Sequence, residues 1–210
     1  MRHFSSIGII VTALAFTLLI GVGSVSAQTK PKLAVLEFKN KADNQWWWHG
    51  GAEAAQDVFI TELVKLDKFI VIDREQLEEI MQARNLTVSG EIDQKAAIKI
   101  GKALGVNYLL TGAVTEYGSK NVGIPGGGIS AGRKEFVASI NSQLVDTKTG
   151  NVIWSRAETN KTDSIKVSVF GVGGGVDENR MFDQVLKPAI VNTITNLKTA
   201  NPMRTFRPGS

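Results

Sequence analysis

LAVLEF, residues 33–38, is an almost continuously apolar run and predicts a strand buried on both faces of a sheet, around which the rest of the fold is organised. FIVI, residues 69–72, has the same character and predicts a second buried strand. Between them, residues 52–66 predict a helix, since their apolar side chains recur at helical spacing. These side chains are Ala55, Val58, Phe59, Leu63 and Leu66.

Two further helices are predicted after residue 72, each introduced by an aspartate. Asp73 stands at an N-cap position with Gln76 at the capping-box spacing, and Asp93 predicts a second N-cap. Gly105 is the expected C-cap of the second helix, and residues 108–115 predict a third strand. The apolar faces of the two helices are Leu77, Ile80 and Met81, and then Ala97, Ile100, Gly101 and Leu104. This order of elements is typical of an α/β protein with a mainly parallel sheet core.

The second half of the chain changes to the two-residue period of half-buried strands. Apolar Phe136, Ala138, Ile140 and Leu144 alternate with Ser139, Asn141 and Gln143. Residues 146–150 predict a turn, residues 152–158 its hairpin partner, residues 165–170 one more strand, and residues 179–198 a closing helix kinked at Pro188. The predicted fold class is therefore α/β, with a mixed, partly parallel sheet, helices packed on it, β-hairpin extensions and a C-terminal helix.

The N-terminus predicts a secretory signal peptide, residues 1–27. Arg2 and His3 precede an uncharged apolar run, residues 7–23, and Val25-Ser26-Ala27 offers small or modest side chains to a signal peptidase. The alternative is a retained membrane anchor, but spanning needs about 20 apolar residues and usually a charged stop. We expect cleavage after Ala27, one domain over residues 28–198, a disordered tail over residues 199–210, and an exported, periplasmic location.

Composition argues against most catalytic and nucleic-acid functions. The chain has no cysteine, and His49 is the one histidine beyond the signal peptide, so thiol nucleophiles and thiolate metal sites are excluded. Loss of Arg2 with the signal peptide leaves 23 basic against 20 acidic side chains, a small and scattered excess that predicts no nucleic-acid partner. We expect no enzymatic activity.

Two glycine-rich stretches invite a nucleotide-binding interpretation, which their spacing disfavours. In residues 170–176 the third glycine of a dinucleotide fingerprint falls on Val176, and residues 123–132 lie between strands. Neither stretch has the Lys-Ser or Lys-Thr pair of a phosphate loop. Both predict flexible hairpin tips, and no cofactor or metal is expected.

Residues 72–112 carry a resemblance to a known family. The stretch includes Ile72-Asp73-Arg74, Arg84-Asn85-Leu86 and LGVNYLLTG at residues 104–112, and VDTKTG at residues 145–150 adds a strand-turn signature. This pattern resembles the CsgG family, the curli production assembly and transport component. The resemblance implies a periplasmic α/β domain without catalytic activity.

The resemblance also implies site residues. Known members are ring-forming outer-membrane lipoproteins in which each subunit contributes two β-hairpins to a shared pore, and a loop after the first strand narrows it. The corresponding loop here holds the expected pore or partner contacts, Trp46, Trp47, Trp48 and His49. The expected hairpin tips are Gly126, Gly127 and Gly128 in the first hairpin and Gly173, Gly174 and Gly175 in the second.

This chain departs from the family pattern in its anchor and its second hairpin. It has no cysteine to lipidate, and residues 165–176 offer a short second hairpin. One hypothesis is a curli-type secretion or assembly component that self-associates, as a ring or smaller homo-oligomer, in the periplasm or at the outer membrane, with envelope proteins or secreted cargo as partners. The other is a soluble periplasmic accessory module that binds and regulates another envelope protein, as peptidoglycan-synthase activators do. Membrane association stays open in both.

Overall fold

The computed structural model describes residues 29–42, 51–86, 92–123, 131–167 and 181–202. Within these ranges the strands are β1 (Lys32–Val35), β2 (Lys39–Asn40), β3 (Ile70–Val71), β4 (Tyr108–Gly123), β5 (Ala131–Asp146) and β6 (Val152–Val167). The α-helices are α1 (Gly51–Leu66), α2 (Arg74–Ala83), α3 (Gln94–Leu104) and α4 (Lys187–Ala200), and a π-helical turn (Phe182–Leu186) leads into α4.

All the described strands join one mixed sheet in the order β3-β1-β4-β5-β6, with β2 beside β4. β1 pairs in parallel with both β3 and β4, whereas β4, β5 and β6 are antiparallel to one another. The predicted α/β class, the mixed sheet, the hairpin and the C-terminal helix are confirmed. Of the helices in the described part of the chain, none has both the length and the hydropathy needed to span a membrane.

The first strand is buried on both faces, as its apolar run predicts. Leu33 and Val35 join the larger apolar cluster, which includes side chains of α1 and α4. Ala34 and Leu36 point the other way into a smaller cluster with residues of α2 and α3. The sheet is therefore covered by two helices on each side at this point.

The predicted helix caps are present. Asp73 Oδ1 accepts a hydrogen bond from the N–H of Gln76 at 2.8 Å, and Asp93 Oδ1 accepts one from Ala96 N–H at 2.7 Å. Gly105 ends α3 in the left-handed region, with φ +64°. These caps fix α2 and α3 over the β1–β4 part of the sheet.

The second predicted strand is shorter and less buried than expected. β3 comprises only Ile70 and Val71, and Ile70 is 48% exposed. The reason is topological, because β3 lies at the edge of the sheet, where one side of the strand faces solvent. Phe69 and Ile72, the residues on either side of β3, are buried instead.

The predicted break between residues 158 and 165 is wrong. β6 is one strand of 16 residues, and it pairs with β5 from Val152 to Val167. The intervening polar residues, Thr159 to Ser164, give no apolar alternation, yet the equally long β5 supplies a continuous ladder of hydrogen-bond partners. β4 also continues to Gly123, eight residues beyond the predicted Thr115.

The closing helix begins irregularly, just before Pro188. Proline has no N–H and cannot donate to the carbonyl four residues earlier, which belongs to Gln184. The structure has the π-helical turn at this place, and Asn160 Nδ2 of β6 donates to the Gln184 carbonyl oxygen at 3.1 Å. A side chain of the sheet therefore supplies the donor that the proline lacks.

Candidate interaction surface

The sequence-predicted contact residues lie outside the described residues. They are Trp46, Trp47, Trp48 and His49 in the aromatic loop, and Gly126, Gly127, Gly128, Gly173, Gly174 and Gly175 at the hairpin tips. The structure does define the chain on either side of each segment. The candidate surface is therefore built from those flanking residues.

The described residues that precede the three segments lie toward one end of the sheet. β2 runs parallel to β4 and pairs Asn40 with Val114, so the aromatic loop leaves in the direction in which β4 continues. Gly123 pairs with Gly132, and Ala131 pairs with Val167, so the two hairpin segments leave at the far end of the same strands. We call this region the hairpin end, comprising residues 116–123, 131–139 and 159–167.

A β-bulge separates the hairpin end from the rest of the sheet. The β4–β5 register shifts between Val114 and Glu116, and such an extra residue bends a strand and re-aims the side chains beyond it. Beyond the bulge, a polar row crosses the three strands. Ser139 Oγ lies 3.2 Å from Glu116 Oε2 and 2.8 Å from Thr159 Oγ1.

A shallow groove lies where the aromatic loop begins. Its volume is about 310 Å³, and its lining includes Lys41, Ala42, Tyr117, Gly118 and Val137. The N–H of Lys41 donates to the Val114 carbonyl at 2.8 Å, which holds the start of the loop against β4. Lys41 and Ala42, the last described residues before the aromatic loop, therefore lie beside the hairpin end.

The face of β5 and β6 opposite α1 and α4 is open and polar. Ser139 pairs with Thr159, Asn141 with Ala157, and Gln143 with Ser155. All six are exposed or half-buried, which confirms the predicted alternation for the three β5 residues. Of the described residues of β5 and β6, only Val145 of β5 belongs to the apolar cluster on this face. In the described part of the chain no helix covers these polar side chains, although Val137 on the same face is buried.

The outer edge of β6 is also open. Among the described strands, β6 pairs only with β5, so the other side of its backbone has no strand beside it. The sequence did not predict this long edge, because the polar residues 159–164 obscured the continuity of the strand.

The carboxyl of Glu37 has a raised pKa. Glu37 is an exposed residue that follows β1, yet local burial of its carboxyl raises its pKa above the ordinary 4.5, and repulsion from Glu53 and Glu78 adds to the rise. Nearby, Arg74 forms ion pairs of 3.1 Å with Asp57 and Glu78. In the described ranges no three His, Cys, Asp or Glu side chains are grouped as a metal site requires.

Residues 19–200 match the family model described as curli production assembly/transport component CsgG. The chain belongs to the CsgG family. Members of this family are non-catalytic envelope proteins, and the chain is accordingly an exported envelope protein of accessory or secretion-related type. No curated protein matches its sequence.

Several solved structures are similar to this CsgG-family chain at low identity. Lipoprotein GNA1162 from Neisseria meningitidis is 18% identical, with 79% of this chain and 99% of that chain covered and a TM-score of 0.47. The LpoB C-terminal domain from Salmonella enterica is 20% identical, with 62% and 82% covered and a TM-score of 0.43. A PelC dodecamer from Paraburkholderia phytofirmans is 18% identical, with 80% and 88% covered and a TM-score of 0.45. Family membership rests on the match over residues 19–200 and not on these three likenesses.

Proposed function

We propose that this CsgG-family protein is a non-enzymatic secretion or assembly component of the curli type, which self-associates in the periplasm or at the outer membrane after removal of residues 1–27. The observation that carries the proposal is the open edge of β6. Among the described residues, one side of this 16-residue strand pairs with no other strand, and an unpaired strand edge is a template for pairing with another chain. The adjoining open face adds flat polar surface for the same contact.

The aromatic loop is the proposed contact with a neighbouring subunit, partner or cargo. In an extended segment, successive side chains point to opposite sides, so Trp46, Trp47 and Trp48 cannot all enter one core. Tryptophan is favoured at the energetic centres of interfaces. The loop begins at the groove beside the hairpin end, and this position supports a contact made together with the hairpins.

Light scattering coupled to size exclusion tests self-association on the purified protein, with and without detergent. We expect a mass above that of the monomer, with a fraction that rises with protein concentration. A monomer at high micromolar concentration in both conditions contradicts the proposal.

Single alanine substitutions test the aromatic loop. At least one of Trp46→Ala, Trp47→Ala and Trp48→Ala should abolish association or secretion with little change in the thermal midpoint. Trp154→Ala is the matched control, because Trp154 is only 9% exposed and its loss should destabilise the fold by about 3 kcal/mol or more. If every loop variant that loses association also loses that much stability, the loop is ordinary core and the proposal fails.

The alternative is a soluble accessory module that binds and regulates another envelope protein. The missing cysteine and the short second hairpin predicted over residues 165–176 favour it, and so does the polar end of the described β4–β5 hairpin. Beyond buried Phe136, the described part of the β4–β5 ladder consists of the mostly polar pairs Lys120↔Glu135, Asn121↔Lys134, Val122↔Arg133 and Gly123↔Gly132. A membrane-spanning strand needs about 9–11 residues with an apolar outer face. Cell fractionation separates the two functions. Protein that sediments with outer membranes and resists a salt wash contradicts the accessory function.

A further inference from the structure

Four cations are gathered at the end of the sheet opposite the hairpin end. Lys102 and Lys148 line an open cleft of about 740 Å³ between α3 and the β5–β6 turn. Lys102 also lines a smaller cleft of about 230 Å³ together with Arg84 and Lys99. Because the clefts share Lys102, these residues form one continuous surface. We call Arg84, Lys99, Lys102 and Lys148 the basic patch.

The charges of the basic patch are not neutralised locally. All four residues are exposed, and none forms an ion pair with a carboxylate in the part of the chain that the structure describes. Asp146 is the one carboxylate that lines either cleft. Its Oδ1 accepts hydrogen bonds from the backbone N–H groups of Lys148 and Thr149, so this carboxylate stabilises the β5–β6 turn. The small basic excess of the chain, expected to be scattered, is thus partly concentrated here.

The N-terminal segment enters the fold beside the same patch. The N–H of Lys32, the first residue of β1, donates to Asn107 Oδ1 at 2.8 Å, and Asn107 lines the larger cleft. Residues 24–31 separate Lys32 from the apolar run that ends at Gly23. Eight residues span at most about 29 Å when fully extended. Until residues 1–27 are removed, this linker keeps this end of the domain close to a bilayer that contains the apolar run.

We propose that the basic patch binds the surface of a bilayer that contains anionic phospholipids. Lysine and arginine near an anionic surface each contribute about 1 kcal/mol, provided that they lie within a Debye length of it. The larger cleft has room for a lipid headgroup, whose phosphate Lys102 and Lys148 can both approach from its walls. The hairpin end then points away from this bilayer.

Vesicle flotation tests the proposal with the protein after removal of residues 1–27 and vesicles of phosphatidylcholine, with or without phosphatidylglycerol. The test variant is Lys99→Gln/Lys102→Gln/Lys148→Gln. The matched control is Lys39→Gln/Lys65→Gln/Lys187→Gln, which removes the same charge from exposed positions elsewhere. We expect the test variant to lower partitioning into phosphatidylglycerol vesicles by about a hundredfold. The control should lower it severalfold at most, and neither should alter the weak partitioning into phosphatidylcholine.

Three outcomes overturn the proposal. Equal losses in both variants mean that only net charge acts, and no dependence on phosphatidylglycerol means that the basic patch does not bind anionic lipid. Full competition by millimolar glycerol phosphate means that the cleft binds a soluble phosphate compound instead of a bilayer. Light scattering on the same variants tests self-association separately. Because the basic patch lies away from β6, both variants should associate as the parent does.

Discussion

The two ends of the sheet differ in how many faces are covered. In the lower sheet, which comprises β1, β3, residues 108–114 of β4 and residues 140–146 of β5, apolar clusters cover β1 and β4 on both faces. At the hairpin end, Tyr117 and Phe136 are buried on the α4 side, whereas Glu116, Ser139 and Thr159 form a polar row on the other. Stability should therefore reside in the lower sheet, and the hairpin end should tolerate change and be free to make contacts.

Two glycines of β4 give the largest expected contrast. A Cβ at Gly112 would lie 1.9 Å from the Asn141 carbonyl oxygen and 2.6 Å from Phe38 Cε1, so Gly112→Ala forces the backbone of β5 to move. A Cβ at Gly118, at the hairpin end, meets nothing within 4 Å. We expect Gly112→Ala to lower the free energy of unfolding by at least about 2 kcal/mol in urea titrations. Gly118→Ala should leave it unchanged or raise it by about 0.5 kcal/mol.

Equal effects of the two alanines would refute the contrast between the ends. The midpoint and the slope of the urea transition should both be measured, because a changed slope indicates altered compactness and not altered packing.

Two side-chain amides give an intermediate contrast. Gln56 of α1 is buried, and its Nε2 donates to the Val35 carbonyl at 2.7 Å, whereas the bond from Asn160 to Gln184 is exposed to water. Gln56→Ala leaves a buried carbonyl without this partner and should cost about 1–3 kcal/mol. Asn160→Ala should cost less than about 1 kcal/mol, since water can replace the lost donor. Thermal unfolding of both variants measures the difference, and an Asn160 effect as large as that of Gln56 would show that the hairpin end is as tightly packed as the lower sheet.

The smallest effect is expected at Glu37, between the two regions. Its raised pKa means that the folded protein holds this proton more tightly than the unfolded chain, so the stabilisation is present below pH 4.5 and is lost as the pH rises through the folded-state value. At pH 7 the charged carboxylate is therefore unfavourable. Glu37→Gln should raise the free energy of unfolding there by less than about 1 kcal/mol, because the residue is exposed. The gain should vanish below pH 4.5 in urea titrations across this range; a gain that is independent of pH would assign the effect to packing.

The sequence predicted best where local chemistry and burial agree. The caps at Asp73, Asp93 and Gly105 depend on adjacent backbone groups, and the two-sided burial of residues 33–36 requires a continuous apolar run. β3 and β6 were predicted less well, because their lengths depend on the position of each strand in the sheet. β3 lies at the edge of the sheet and is therefore short and partly exposed. β6 pairs with the long strand β5, and this pairing continues β6 through polar residues.

The candidate surface was predictable only in part. The solvent-facing alternation of Ser139, Asn141 and Gln143 was apparent from the two-residue period. The open edge of β6 and the basic patch were not, because each depends on residues far apart in the chain coming together. Arg84 and Lys148 are separated by 64 positions, yet they meet through Lys102, which lines the same clefts. The roles of Trp46, Trp47, Trp48 and His49 stay predictions.

The larger apolar cluster runs from Leu33 of β1 to Leu197 of α4, and this has a consequence for the timing of export. A chain that crosses a membrane with its N-terminus leading releases β1 first and α4 last. Ile190, Ile194 and Leu197 fill the same core as Leu33 and Phe59, so that core cannot close until nearly the whole domain has been translocated. Folding on the far side is thereby coupled to completion of transport, and the partly emerged chain, with its strands exposed, depends on rapid release or on a chaperone to escape aggregation.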